Sequence, residues 1–511
     1  MTTESLSLPH AGRRRRIVLT LLCSALFMVF LDTTVVNVAL PRIQQDMSST
    51  MSELQWVIDA YTLVFASLLL SAGAAAERFG ARTVLVAGVG IFAVASVACA
   101  VAPDSATLLT ARALQGVGGA IVMPISLIII NRMYIEARQR SLAIGIWSGM
   151  GSLALAAGPI VGGVLVDHFG WQSIFWINVP VGIATGFALW FLTGDMDTRS
   201  QRAMDLGGQV LFIVGVGLIT FGLIEGNRWG WQSASLIVCM AAAVASLAAF
   251  VWRQTVAAEP VLPMDILRNR AFIAPNIIGA AAFFSLTGVI FLFALFLQNL
   301  QFLSPLQAGV RFLPLTVAIA VSGVVAGVLC ERANPYVLMI SGSVLVATGL
   351  GLATRIRLDS PLSEYWYGLV VLGIGTAFAV TPATVVALKH ARPDQVGVTS
   401  GILNTCRQVG GVMGVAILAS VATTRFTDTL PTALSTLSAS DGALRQIQGS
   451  LSEGDLSGLR SLPEGADSPV VQVLGSSFVD AMITAMWVGV ALNLLAAVLA
   501  LLSSRAELRA K

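Results

Sequence analysis

The sequence predicts an all-α polytopic membrane protein, and three observations carry that prediction. The 511-residue chain is 56% hydrophobic and only 11% charged, whereas about a quarter of a soluble domain is charged. Apolar runs recur from end to end, each of roughly twenty residues, the length that crosses a ~30 Å hydrocarbon core as a helix. There are fourteen, the first at 17–40 and the last at 476–503. Between them the basic residues are unevenly placed. A transmembrane β-barrel would show short alternating segments instead.

With the N-terminus inside, 20 of the 30 Lys and Arg residues fall on the inner side, beginning with Arg13–Arg16. Seven fall outside, and Arg112, Arg311 and Arg407 lie within spans. This bias orients both termini to the cytoplasm of an inner membrane and requires an even number of spans. The formal charge of +3 reflects the asymmetry, so membrane lipids rather than nucleic acid are the expected surroundings. The run after Arg16 is too long for a secretory signal and lacks a small-residue cleavage pattern, so an uncleaved first span is expected. Cys23, Cys99, Cys239, Cys330 and Cys406 fall in spans or at their ends without metal spacing, so neither disulfides nor a metal are expected.

Most connections are short. The exception, about 425–475, is rich in Ser, Gly, Leu, Thr and Asp, and reads as an outer loop with one short surface helix near 438–448. An internal repeat is visible: Gly73-Ala-Ala-Ala-Glu77-Arg78 closes the second run and Gly327-Val-Leu-Cys-Glu331-Arg332 the tenth, 254 residues later. The Gly/Ser-rich fifth and thirteenth runs lie at about the same offset. Both pairs match if two spans are inserted between six-span halves. This gives a 6+2+6 plan: an N-terminal bundle in 1–200, an insertion in 201–262 and a C-terminal bundle in 263–511. Parallel repeats packed around a central site are a common transporter architecture.

Charges within spans are few. Asp32 sits inside the first run, where a carboxylate costs at least ~2.5 kcal/mol and survives by pairing inside a bundle. It lies about 22 Å from the inner edge, and Arg112 of the fourth run roughly 20 Å from it, at ~1.5 Å per residue. A pair between them is therefore available, and it reads either as a proton-coupling device or as a static ion pair. Asp59, nearer the outer rim of the second run, shares a face with Gln55 and Thr62, while Arg112 shares one with Gln115, Gly119 and Met123. Asp480 and Arg311 read as rim residues. Ser400, Asn404, Arg407, Gly411 and Gly414 form one small and polar stripe, suited to helix packing or to lining a cavity. In the fifth run, Gly149, Gly151, Gly158, Pro159, Gly162 and Gly163 allow close approach and a bend. Phenylalanines of the ninth and tenth runs, from Phe283 to Phe312, read mainly as lipid-facing.

Together these segments resemble the major facilitator superfamily, and within it the fourteen-span drug/proton antiporters. Leu31–Pro41 is similar to that family's first-span signature, with Asp32 in its acidic position. Gly73 to Arg82, with Arg78 and Gly80, resembles the loop motif between spans two and three. Glu77 stands where the family has Asp, and Ala81 replaces a basic residue. Arg112-Ala-Leu-Gln115-Gly116 resembles the fourth-span motif whose arginine is implicated in proton coupling. Gly149 to Gly163, with Gly158-Pro159 and Gly162, resembles the fifth-span motif associated with exporters. Segments 176–182 and 404–408 resemble further family segments. The resemblance implies a proton-driven exporter with coupling at Asp32 and Arg112 and conformational motifs at Gly73, Glu77, Arg78, Gly80, Arg82, Gly158, Pro159 and Gly162. The residue pattern itself adds Asp59 as a second candidate for proton coupling and Gln55, Thr62, Gln115, Asn404 and Arg407 as candidates for cavity lining.

The cargo stays open between amphipathic drugs and a lipid, siderophore or antibiotic metabolite, with a non-transporting receptor as a remote alternative. An enzyme is not expected, because His10, His168 and His390 are scattered over separate connections. No Walker-type loop is present, so no nucleotide or other cofactor is expected beside the proton gradient. A monomer suffices for this plan.

Overall fold

The structure is a computed structural model that describes residues 9–134, 136–192, 205–257, 260, 270–330, 332–389, 396–435 and 469–510. Among these residues no strand occurs. The first seven helices are α1 (Pro9–Met47), α2 (Met51–Phe79), α3 (Ala81–Ala100), α4 (Ser105–Met133), α5 (Ala137–Phe169), α6 (Ser173–Trp176) and α7 (Asn178–Leu192). Two follow as a hairpin, α8 (Leu206–Trp229) and α9 (Ala234–Val256). The rest are α10 (Arg270–Leu295), α11 (Pro305–Arg311), α12 (Leu313–Leu329), α13 (Pro335–Ala353), α14 (Leu362–Lys389), α15 (Val396–Ser435) and α16 (Pro469–Ala510). A π-helical turn, Phe296–Leu300, continues α10.

Eleven helices among the described residues are long and apolar enough to cross a membrane, and α11 with α12, bent by 40°, makes a twelfth. The fourteen spans expected from the sequence thus stand at twelve by this measure. The 29-residue α2 and the 33-residue α5 lie outside it, although they pack within the same body. Large apolar side chains face outward around the perimeter, among them Phe187 (68% exposed), Trp252 (66%) and Val324 (71%). Hydrocarbon surroundings account for such exposure.

Local sequence explains the helix ends. Thr50 and Glu53 form a reciprocal capping box at α2, and Ser304 and Gln307 do so at α11. Asp104 caps α4 by accepting from the Thr107 backbone N–H (2.7 Å), which holds its carboxyl below its ordinary value. Gly80 alone separates α2 from α3 at φ 95°, so the segment expected as a loop is mostly the last turns of α2. Any side chain at Gly80 would be strained there. Likewise the loop expected from 425 begins later, because α15 continues to Ser435; the short helix expected at 438–448 lies outside the described residues.

Packing divides the molecule into two faces. On the proximal face, where α1 begins and α16 ends, α1–α5 and α7 have one core, containing Leu22, Phe65, Phe92 and Ile129. Helices α10, α13, α14 and α16 have another, containing Ile278, Met339 and Ala383. On the distal face both sets share a single core that runs from Val35 and Trp171 to Phe293, Leu350 and Phe478. Phe284, Phe291, Phe293, Phe296 and Phe312 are buried in that shared core, which corrects the expectation of lipid-facing rings.

The distal junction is also polar and close. Within the π-helical turn, Gln298 Nε2 donates to the Val38 carbonyl (2.9 Å) and Asn299 Nδ2 to Gln44 Oε1 (3.2 Å), both on α1. Gly163 of α5 lies against the backbone of Leu306, and Gly309 of α11 against the Pro159 carbonyl, where a Cβ on either glycine would collide. The hairpin is held to the first set by Ser52, which donates to Glu225 (2.5 Å), and by Gln209, which donates to the Ser67 carbonyl. Arg253 pairs with Asp205 (2.5 Å) across its proximal end.

Replacing Gln298 and Asn299 by Leu removes both hydrogen bonds to α1, each loss costing about 1–3 kcal/mol where a partner stays buried. In that variant, a membrane-impermeant maleimide should label an Ile43→Cys probe, at a position fully buried in the parent, several-fold faster. Unchanged labelling would mean that apolar packing alone holds the distal face.

Candidate functional site

Asp32 lies midway along α1 and is completely buried. Its Oδ2 accepts from Arg112 Nη1 of α4 at 2.5 Å, and its Oδ1 accepts from Gln115 Nε2 (2.8 Å) and from Asn178 Nδ2 of α7 (2.9 Å). Arg112 is equally enclosed: Nη1 also donates to Gln115 Oε1 (2.7 Å) and Nε donates to the Val57 carbonyl of α2 (3.0 Å). Its guanidinium stacks over the Tyr61 ring at 4.3 Å, with Phe175 at 5.8 Å. Gln115 Nε2 further reaches Ser96 Oγ of α3 (2.9 Å), and Cys99 Sγ lies 3.7 Å from its oxygen.

Six helices therefore meet around this pair, with α4 and α7 donating to the carboxylate itself. Such a charge pair tolerates burial because both carboxylate oxygens are engaged and the guanidinium is held by two further acceptors and a ring face. The spacing of the helices supplies the geometry. Arg112 and Gln115 stand three residues apart on one face of α4, so both reach the same acceptor. Asn178 starts α7 just after α6 ends, and the break at Ile177 turns it inward.

The depth arithmetic for Asp32 and Arg112 thus meets a real contact. Gln115, expected to line a cavity, is instead enclosed as a donor to Asp32, because Ser96 and Arg112 draw its amide into the cluster. Asn178, Ser96 and Tyr61 were not singled out. Asn178 carried a signal, an amide in the otherwise apolar segment 176–182; Ser96 and Tyr61 carried none apart from being polar within a run.

Asp59 corrects a second expectation. It is not at a solvated rim but fully buried, and neither carboxylate oxygen has a hydrogen-bond partner. Asp59 shares a stripe of α2 with Ser52, Trp56, Leu63 and Ser67, which meet α8 and α15. The inserted hairpin packs along this stripe on either side of Asp59. Gln55 is buried one turn away with its oxygen unpartnered, and Thr62 Oγ1 donates to the Ile58 carbonyl of its own helix.

Arg407 is half-buried in the second set, where Nη2 donates to the Val380 carbonyl (3.0 Å) and to Thr384 Oγ1 (2.5 Å) of α14. Its stripe is largely a packing surface, since Gly414 abuts the backbone of α10 at Phe284 and Gly411 receives the Thr287 hydroxyl. Asn404 is half-buried. Arg311 bonds to Gln301 and Tyr365, and Asp480 is exposed, both near the distal rim. In the motif that joins α2 to α3, Arg82 stacks over Trp190 at 4.3 Å and Arg78 is exposed, while Gly73 and Glu77 are described in backbone alone. Gly158 and Gly162 of α5 lie against Thr34 and Val35, so α5 meets α1 next to Asp32, and Pro159 meets α11.

The chain belongs to the Major Facilitator Superfamily, whose family model matches residues 22–415. It is 34% identical to the tetracenomycin C resistance and export protein of Streptomyces glaucescens, over 98% of this chain and 94% of that protein. It is 35% identical to the multidrug resistance protein Stp of Mycobacterium tuberculosis, over 79% and 75% of the two chains. Among solved structures, a bacterial homologue of the human lysosomal transporter Spinster shares the fold with a TM-score of 0.68 at 17% identity, over 97% of this chain and 98% of that one. The protein is thus a multi-pass membrane protein of a transporter superfamily.

Arg112→Ala leaves the Asp32 carboxylate buried with amide donors alone, a change that costs roughly 3–5 kcal/mol where one partner of a buried pair is removed. Its melting temperature in detergent should fall well below that of the parent. The Asp32→Asn/Arg112→Gln double variant should recover much of the loss, whereas additive losses would show that the two residues act independently.

Proposed function

We propose that this protein is a proton-coupled antiporter that exports amphipathic drugs or other toxic small molecules across the cytoplasmic membrane. The observation that carries the reading is the enclosed Asp32 carboxylate, paired with a single guanidinium at the junction of six helices. The names of its relatives, resistance and export proteins for tetracenomycin C and for multiple drugs, support an efflux role.

In this reading Asp32 carries the proton and Arg112 sets how readily it binds and leaves. Protonation removes the carboxylate charge opposite Arg112 and frees α1 from α4 and α7. Because α1 also carries the distal contacts to Gln298 and Asn299, release at Asp32 loosens the distal seal along the same helix. Asp59 acts as a second proton-carrying group, at the seam of α2, α8 and α15. Gly158, Pro159 and Gly162 let α5 roll against α1 and α11, and Gly80 with Arg78, Arg82 and Glu77 steadies the turn between α2 and α3. Gln55, Thr62, Asn404 and Arg407 serve the path of the cargo.

The full plan is fourteen spans in a 6+2+6 layout, with bundles in 1–200 and 263–511 and the inserted pair in 201–262. Both termini are cytoplasmic, so the structure is inward-facing, with its shared core on the outer side. A single chain, driven by the proton gradient without a cofactor, completes the cycle. A narrower cargo, an antibiotic metabolite, is the second reading, and it is favoured by the relatives named for resistance to tetracenomycin C and methylenomycin A.

The test is uptake of a fluorescent cationic dye into everted vesicles under an imposed pH gradient. Parent protein should accumulate the dye until the gradient is collapsed, and Asp32→Asn, inserted at equal amount, should show only background uptake. Gradient-driven uptake by Asp32→Asn equal to the parent would remove Asp32 from the mechanism.

A further inference from the structure

A cavity of about 380 Å³ lies between the inserted hairpin and the second set, bounded by Ser67, Phe212, Phe250, Ile277, Val409 and Met413 among others. Four segments of the chain build it: α2, the α8–α9 pair, α10 and α15. Its volume falls within the ~300–1,000 Å³ of small-molecule sites. It is also far larger than the gaps that close packing leaves in a protein interior.

Two features say what such a site takes. No Asp, Glu, Lys, Arg or His is among the described residues that line it. A charged ligand would therefore give up its hydration with no countercharge to replace it. Second, the cavity borders the outward-facing perimeter. Ile277, which lines it, is 44% exposed, and the neighbouring Ile273, Val210, Val214 and Trp252 are exposed as well. Its mouth faces hydrocarbon rather than water, in the proximal half of the molecule. One turn along α2 from the lining residue Ser67, Leu63 packs with Val216 and Val412, and one further turn beyond Leu63 stands Asp59.

We propose that this cavity is a binding site for a neutral, lipophilic molecule taken from the bilayer, and that the inserted hairpin exists in part to build it. Either a cargo dissolved in the membrane or the hydrocarbon of a bilayer lipid has this chemistry. The site does not depend on proton coupling at Asp32, and its test involves no gradient.

The experiment uses the full chain in its own membranes. An uncharged aryl diazirine, 3-trifluoromethyl-3-(m-iodophenyl)diazirine, is photolysed there and the labelled residues are mapped by mass spectrometry. Labelling of Phe212, Val409 and Met413 should fall roughly tenfold when excess diphenylhexatriene competes for a single site. Its trimethylammonium derivative should give no protection, and the lipid-facing Trp252 should label equally throughout. Val409→Trp, or Ala280→Phe from the opposite wall, should abolish the protected labelling. Protection by dioctanoylglycerol as well would assign the site to a bilayer lipid, and protection by the aromatic hydrocarbon alone to a cargo. Absence of protection, equal protection by the cation, or labelling unaffected by either filling variant would overturn the proposal.

Discussion

One ion pair governs the first half of this molecule. Asp32 and Arg112 are both shut away from solvent, and neither would be tolerable alone. The pair in turn dictates its surroundings: Gln115 and Asn178 must present their amides to the carboxylate, and Val57 must offer a carbonyl to the guanidinium. Tyr61 supplies a ring face to the cation, and that contact is indifferent to the state of the carboxylate.

The arrangement of cores gives the pair its reach. The two helix sets share apolar contacts on the distal face and keep separate ones on the proximal face. The sets also meet midway, where Thr405 Oγ1 of α15 donates to the Ala66 carbonyl of α2 (3.0 Å), and packed cores switch between discrete arrangements rather than deforming smoothly. Asp32 stands midway along α1, between the proximal core and the distal hydrogen bonds.

Much of this was legible because membrane proteins obey simple length rules. Apolar runs gave the helices, and counting residues from the membrane edge put Asp32 and Arg112 at one level. That arithmetic measures height along a helix and says nothing about direction around it. Hence Asp59 read as a rim residue, when the inserted hairpin packs along that face of α2. Gln115 read as cavity lining, when Ser96 and Asp32 hold it inside the cluster. The phenylalanines of α10 were misread for a related reason: an apolar ring suits lipid and protein interior equally, and only the partner helices decide. Asn178 depended on a helix break at Ile177, which no periodicity announces. The motif around Gly80 read as a loop, although a single residue of positive φ makes the whole turn.

The π-helical turn at Phe296–Leu300 has a consequence of its own. Such a turn holds one residue more than an α-helical turn in the same stretch of axis. Each residue of an α-helix accounts for about 100° of rotation, so shifting that surplus residue along α10 swings the side chains it passes by about that angle. Gln298 and Asn299 face α1 only while the surplus lies where it does. The distal seal therefore depends on where one extra residue is placed as much as on the strength of the two hydrogen bonds it presents to α1.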